Sequence, residues 1–298
     1  MPETLDLRGI LPALLTPFTE DGAAVDEAAL RAHVDHLVDA GSGGIVVAGS
    51  TGEFTSLTIE EREGLLVTVL DEVAGRVPVV AHTGAMTTDE AIRLTVHAAA
   101  VGAACVMVVL PYYEPLTRDE TTGYLGDIAA AVDLPLMYYN LPTATGVSLT
   151  VDEVGELARR GIIASVKDTG GDAAWFDQLL GRYGDDLQAI NGGDTLTFAA
   201  LCAGAPAAVW GAANIFPELA VELYDTVALQ HDLVGGRELW ARMRGLLGFL
   251  EAAAYTARVK AASELMGVTT GPLRRPLAAP TEPEMDELRG WLRAARLR

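Results

Sequence analysis

The sequence predicts a (β/α)8 barrel of parallel strands followed by an all-helical C-terminal extension. Three observations carry that expectation. Eight short apolar runs, rich in valine, isoleucine and alanine, recur between the N-terminus and Trp210. Longer stretches with helical spacing of apolar residues alternate with them. After the eighth run the alternation stops and only helical patterning continues. Parallel strands covered by helices on their outer face read as near-continuous apolar runs. Eight such strand–helix units over about 225 residues fit a closed barrel better than an open doubly wound sheet.

The apolar runs fall at 10–15, 44–48, 77–82, 104–110, 135–139, 162–167, 187–191 and 207–210, and the helical patterns between them at 26–40, 58–74, 88–101, 118–132, 150–160, 172–181 and 194–203. Several boundaries are signalled locally. Thr58 ahead of Glu60 and Glu61, and Thr150 ahead of Asp152 and Glu153, are N-caps with acidic first turns. Gly41, Gly102 and Gly161 stand just past helix ends, where a left-handed residue closes the last turn. From about Leu219 the pattern is helical only, interrupted by Gly235-Gly236 and the loop at 267–283. This places the barrel, carrying the active site, at residues 1–225 and the extension at 226–298.

Half of the 298 residues are hydrophobic, enough for a sizeable core. A formal charge of −20 argues against nucleic acid or an anionic membrane as partner. The two cysteines, Cys105 and Cys202, lie in apolar surroundings and suggest no disulfide framework. No signal peptide or long apolar span is visible, so a cytoplasmic protein is expected.

In a barrel of this kind, chemistry gathers where strands end and the following loops begin. Only two lysines occur in the chain, and one of them, Lys167, closes the apolar sixth run. An ammonium is costly to bury, and a desolvated lysine amine is a nucleophile suited to forming a Schiff base with a carbonyl. A lysine at a strand end can also simply extend its head to water. The other strand ends favour chemistry. Strand two delivers Gly49-Ser50-Thr51-Gly52-Glu53, a small hydroxyl-bearing turn whose amides can hold a carboxylate. It lacks the lysine and spacing of a P-loop. Strand three delivers His82-Thr83-Gly84, strand four Pro111-Tyr112-Tyr113, strand five Tyr138-Tyr139-Asn140, and strand seven Asn191-Gly192-Gly193-Asp194. An amine, hydroxyl proton carriers and an anion-holding turn on one face are what Schiff-base chemistry on a 2-oxo acid requires. The five histidines are scattered without metal-ligand pairing, which disfavours a metal-dependent aldolase.

At this point the chain resembles the dihydrodipicolinate synthase/N-acetylneuraminate lyase family of class I lyases. The matching segments are Leu14-Leu15-Thr16-Pro17-Phe18, the strand-two turn, Tyr139-Asn140-Leu141-Pro142 with Thr145-Gly146, Lys167-Asp168-Thr169, and the tail Gly267-Val268-Thr269-Thr270-Gly271-Pro272-Leu273-Arg274-Arg275-Pro276-Leu277. The resemblance implies that Lys167 forms the Schiff base with pyruvate, without a metal or organic cofactor, and that Tyr139 relays protons together with the Ser50 hydroxyl. It implies that Ser50 and Thr51 bind the carboxylate, and that Tyr113 reaches across a tight dimer into a neighbour's site within a homotetramer. Lys260 is expected to be structural. Gly192, Val209 and Asp194 are expected to line the substrate pocket.

Departures from the family pattern bear on the aldehyde partner. Where dihydrodipicolinate synthases carry an arginine after the strand-five proline, this chain has Ala144, which cannot grip a carboxylate. Where sialate lyases pair Asp with Glu and place a serine nearby, the chain has Asp194-Thr195 and Gly211, which predicts lost polar partners for a sugar polyol. Trp210 is either core or a bulky lining of the acceptor side. The expected activity is therefore an aldolase joining or splitting pyruvate and an aldehyde. A 2-keto-3-deoxy sugar acid dehydratase on the same lysine is the nearest rival, and a non-catalytic binding barrel the rival of a different class.

Overall fold

The computed structural model describes residues 6–297; residues 1–5 and 298, at the outer ends of the expected barrel and extension, lie outside them. Eight parallel strands run in barrel order: β1 Gly9–Pro12, β2 Ile45–Val47, β3 Val79–His82, β4 Cys105–Val109, β5 Leu136–Asn140, β6 Ser165–Asp168, β7 Gln188–Asn191 and β8 Ala207–Trp210. β8 returns to pair with β1 through Gly9–Ala207 to Pro12–Trp210. The remaining seam, between β1 and β2, is joined by the Ala13–Val46 bridge, with the Leu14 amide donating to Val46 O at 2.9 Å. The expected barrel is the observed fold.

The covering helices are α1 Glu27–Asp39, α2 Ile59–Val73, α3 Thr88–Val101, α4 Arg118–Ala131, the single turn α5 Pro142–Thr145, α6 Val151–Arg159, α7 Ala173–Tyr183, α8 Thr197–Cys202 and α9 Pro217–Tyr224. Thr58 and Thr150 close capping boxes with Glu61 and Glu153. The sixth strand begins three residues later than its apolar run. Gly161 adopts φ 69°, and the Ile162 amide donates back to Leu157 O at 3.0 Å, so Ile162 and Ile163 finish the helix-to-strand turn instead of entering the sheet.

Side chains alternate along every strand, and the alternation sorts two cores. Leu11, Val80, Met107, Met137, Ile190 and Val209 point inward and fill the barrel. Val47, Val106, Val108, Tyr138, Val166 and Ala189 point outward against the helices. A third cluster joins the outer faces of β1 and β8 (Ile10, Ala208, Trp210) to α9 and to the C-terminal helices α10 Leu233–Ala252, α11 Tyr255–Leu265 and α12 Glu282–Ala294. Met243, Leu247, Leu250, Val259 and Leu288 are buried in that same cluster. The division expected at 225/226 thus falls within one continuous core, and the C-terminal helices are held close to the barrel mouth.

Among the described residues no helix is long and apolar enough to cross a membrane.

Candidate active site

Lys167 occupies an inward position of β6, directly across from Tyr139 on β5. Both side chains are buried, and Lys167 Nζ lies 3.8 Å from the centroid of the Tyr139 ring. Gly192, at the end of β7, makes room for this lysine. A Cβ there would stand 2.7 Å from Lys167 Cε and from Thr169 Cγ2, and 2.8 Å from Lys167 Cγ. The aliphatic stem therefore lies flat on the Gly192 backbone, which aims the amine at the cavity. Asp168, which follows on the outward side, is held by Asn140 Nδ2 at 2.7 Å and the Gly170 amide at 3.0 Å. Burial raises its carboxyl against those bonds.

Burial alone would push the Tyr139 phenol up. The positive charge of Lys167, with the neighbouring polar groups of Ser50 and Thr169, outweighs it and brings the phenol below its ordinary value. Tyr139 is thus suited to exchanging protons with a group held at Lys167. The strand-two turn faces the pair. Ser50 and Thr51 line the same cavity as Lys167 and Tyr139. The turn is internally bonded by Gly52 and Glu53 amides donating to Gly49 O and Ser50 O, both at 3.1 Å. Neither the Ser50 nor the Thr51 amide has an acceptor among the described residues.

The cavity has a volume of about 420 Å³. Its inner end is formed by Ala13, Val209 and Gly192 beside the lysine. Its outer end carries residues that sequence reasoning missed. Glu251, at the end of α10, accepts from the Thr195 hydroxyl. Tyr255, at the start of α11, donates its hydroxyl to Asp194 Oδ2, which also accepts from the Ala212 amide at 3.1 Å. Burial, reinforced by Glu251, pushes the Asp194 carboxyl up to about 7 against these hydrogen bonds, and pushes the Tyr255 phenol well above its usual range. A Cβ on Gly211 would lie 2.3 Å from the Tyr255 hydroxyl. The phenol fills the space that a side chain at 211 would take. Glu251 and Tyr255 thus bring polar groups from the C-terminal helices beside Thr195 and Gly211. Among the described residues, Lys167 is the only cation lining the cavity.

Two expectations need revision. Trp210 is outside the pocket. It follows the inward Val209 and so points outward, fully buried, with its ring edge-to-face on Phe216 at 5.9 Å. Ala144 is exposed on α5 and does not line the cavity, whereas its neighbour Thr143 does. Tyr113 is 86% exposed and lies outside the cavity of its own chain. His82 is buried against Phe54, ring centroids 4.6 Å apart, and burial holds it well below its ordinary pKa, so it stays a neutral packing residue. No group of three or more His, Cys, Asp or Glu among the described residues could hold a metal.

An eight-stranded barrel that buries a lysine near the end of β6, against a tyrosine of lowered pKa and facing a hydroxyl-bearing turn, defines a lyase site centred on that lysine. Residues 6–295 match the dihydrodipicolinate synthetase family, and the chain belongs to that family. It is 35% identical over 288 residues to the 4-hydroxy-tetrahydrodipicolinate synthase of Methanopyrus kandleri, covering 96% of each chain. It is 36% identical over 275 residues to an uncharacterized DapA-like lyase of Halobacterium salinarum, covering 92% of this chain and 90% of that one. Among solved structures, the chloride-inhibited dihydrodipicolinate synthase of Acinetobacter baumannii complexed with pyruvate superposes with TM-score 0.94 at 31% identity, covering 98% of this chain and all of that one. The Aquifex aeolicus dihydrodipicolinate synthase gives 0.92 at 32%, covering 97% and 98%.

Proposed function

We propose that this chain is a class I aldolase that joins pyruvate to an aldehyde, or splits the product, through an iminium on Lys167. The observation that carries the reading is the placement of Lys167 Nζ over the Tyr139 ring, in a cavity also lined by Ser50 and Thr51, whose amides have no acceptor among the described residues. Those amides hold the pyruvate carboxylate. The amine attacks C2, and the carbinolamine loses water to give the iminium, with Tyr139 and the Ser50 hydroxyl carrying the protons. Loss of a proton from C3 gives the enamine, whose C3 bonds to the aldehyde carbon while the aldehyde oxygen takes up a proton from Tyr139. Water then releases the product and restores the amine. The iminium nitrogen is itself the electron sink, so these steps call on no resident metal or organic cofactor.

On the acceptor side the described residues supply Glu251, Thr195, Tyr255 and Asp194 and no cation other than Lys167. A carboxylate-bearing aldehyde meets repulsion there, and a cationic one meets the iminium. An uncharged aldehyde bearing hydroxyls donates to Glu251 and suits the site best. The exposure of Tyr113 supports a role in a neighbouring subunit's site, within a tetramer built as a dimer of dimers. The two unpaired cysteines are in keeping with a cytoplasmic enzyme.

Incubation with pyruvate and borohydride, followed by intact mass and peptide mapping, tests the mechanism. The expected result is one reduced pyruvyl adduct at Lys167. No adduct, or an adduct at Lys260, overturns it. Product analysis of a turned-over 2-keto-3-deoxy acid completes the test: pyruvate plus an aldehyde is the aldolase outcome, and water loss with carbon number retained makes the protein a dehydratase on the same lysine.

A further inference from the structure

The second lysine of the chain is buried behind the strand-two turn. Lys260 Nζ, on α11, donates to Glu53 Oε1 at 2.8 Å, to Thr16 O at 3.1 Å and to Pro272 O at 3.0 Å. The side chains of Lys260 and Glu53 are 3% and 0% exposed. The second oxygen of Glu53 accepts from the Arg274 amide at 3.2 Å. The Arg274 guanidinium grips both oxygens of Glu61, at 2.7 and 2.6 Å. The Lys260 ammonium and the Arg274 guanidinium both pack on the Phe18 ring, 4.4 and 4.2 Å from its centroid. Thr16 closes the group, its hydroxyl donating to Gly52 O at 2.8 Å. Four separate segments of chain thus converge on the residue that follows Ser50-Thr51-Gly52.

Burying such an ion pair gains little stability over an apolar pair of the same shape, because both charges must be desolvated. What it secures is geometry. Glu53 has φ 58°, a left-handed backbone that a residue with a side chain adopts only when its surroundings hold it there. Its carboxylate is the handle by which they do so. Beyond its internal bonds the turn is tied by the Thr16 hydroxyl to Gly52 O and by the Thr256 hydroxyl to Ser50 O at 3.4 Å, while the Ser50 and Thr51 amides have no acceptor among the described residues.

We infer that Lys260 and Glu53 are positioning residues for the reaction. Together with the 267–277 strap, they set the direction of the Ser50 and Thr51 amides and hence the grip on the substrate carboxylate. This rests on the reading above that those amides hold pyruvate. The prediction is specific to the carboxylate, which a merely structural role would not be.

The experiment compares the wild-type protein with the Lys260→Met/Glu53→Gln double variant, which leaves no orphaned charge. Borohydride-trapping rates are measured against pyruvate and against hydroxyacetone, a ketone without a carboxylate. The expected result is a tenfold or greater rise in the pyruvate concentration for half-maximal trapping, with the rate at saturation within threefold and the hydroxyacetone rate unchanged. Lys260→Arg is expected to recover most of the pyruvate half-saturation. Thr16→Val, a neutral change that removes only the bond to Gly52 O, gives the same split on a smaller scale and serves if the double variant does not fold. Unchanged half-saturation for pyruvate in the folded variants, or equal losses for both ketones, overturns the inference. Absence of a wild-type adduct at Lys167 would instead remove the aldolase reading on which it stands.

Discussion

Replacing Gly192 with alanine tests how the Lys167 amine is aimed. The new Cβ would meet Lys167 Cε and Thr169 Cγ2 at 2.7 Å and Lys167 Cγ at 2.8 Å. Carbon atoms pack at about 3.5–4.0 Å, so the lysine must retreat by about 1 Å. Because Cγ and Cε are both struck, rotating the terminal bond does not clear the clash, and the whole stem lifts off β7. The backbone at 192 lies outside the left-handed region, so alanine adds no strain of its own there. A misplacement of about 1 Å in a reacting group costs on the order of 100-fold, or about 2.7 kcal/mol of transition-state stabilisation. The added methyl costs about 1–3 kcal/mol of stability through overpacking. The assay is the initial rate of pyruvate trapping at Lys167, read by intact mass, beside a thermal melt that confirms a folded variant. A folded Gly192→Ala protein that traps pyruvate at the wild-type rate would refute the argument that this glycine positions the lysine.

Tyr139→Phe keeps the ring beneath the amine and removes the hydroxyl. It should lower turnover by roughly 10²–10⁴-fold while the reduced adduct still forms, and turnover near wild type would take Tyr139 out of the proton relay. Asp194 keeps its proton to about pH 7 in the folded chain, chiefly through burial, whereas an unfolded aspartate ionises near about 3.9. Its contribution to stability is therefore fully present below about pH 4 and is lost as pH rises through 7, with a span on the order of 4 kcal/mol. The melting temperature of Asp194→Asn relative to wild type should rise between pH 4 and 7 and then level off; a pH-independent difference would show that Asp194 does not carry a raised pKa. Glu251→Arg places a cation at the outer wall and should raise kcat/KM for a carboxylate-bearing aldehyde at least tenfold over an uncharged one. Equal effects on both would remove Glu251 from acceptor selection. Trp210→Phe should cost about 1–3 kcal/mol, as a shape change in a filled core does, yet leave the ranking of aldehydes untouched. A changed ranking would return Trp210 to the pocket.

Much of the fold was legible because its signals are local. The threonine caps at 58 and 150, the terminal glycines and the short apolar runs each report on a few neighbouring residues, and a barrel is the repetition of one such unit. The placement of Lys167 was legible for the same reason: an ionisable residue closing an apolar run, followed by a glycine-rich loop, marks a strand end in a barrel. Trp210 was ambiguous because a four-residue run of apolar side chains does not reveal which of its two faces is inward. Tyr255 and Glu251 gave no local signal. Their partners are 61 and 56 residues away, Asp194 and Thr195, and an ordinary tyrosine and glutamate at helix ends carry no mark of that distant contact.

The sequence by itself thus determined the barrel, the strand that carries the buried lysine and the tyrosine on the strand before it, because periodicity and capping are properties of consecutive residues. Tertiary structure alone decided which face Trp210 takes, which helices complete the outer end of the cavity, and why the chain's other lysine is buried behind the strand-two turn. Those outcomes depend on closing the sheet and folding α10, α11 and the 267–277 strap back over the barrel mouth. Closure brings distant residues within hydrogen-bonding distance, and no local pattern encodes their separation in space.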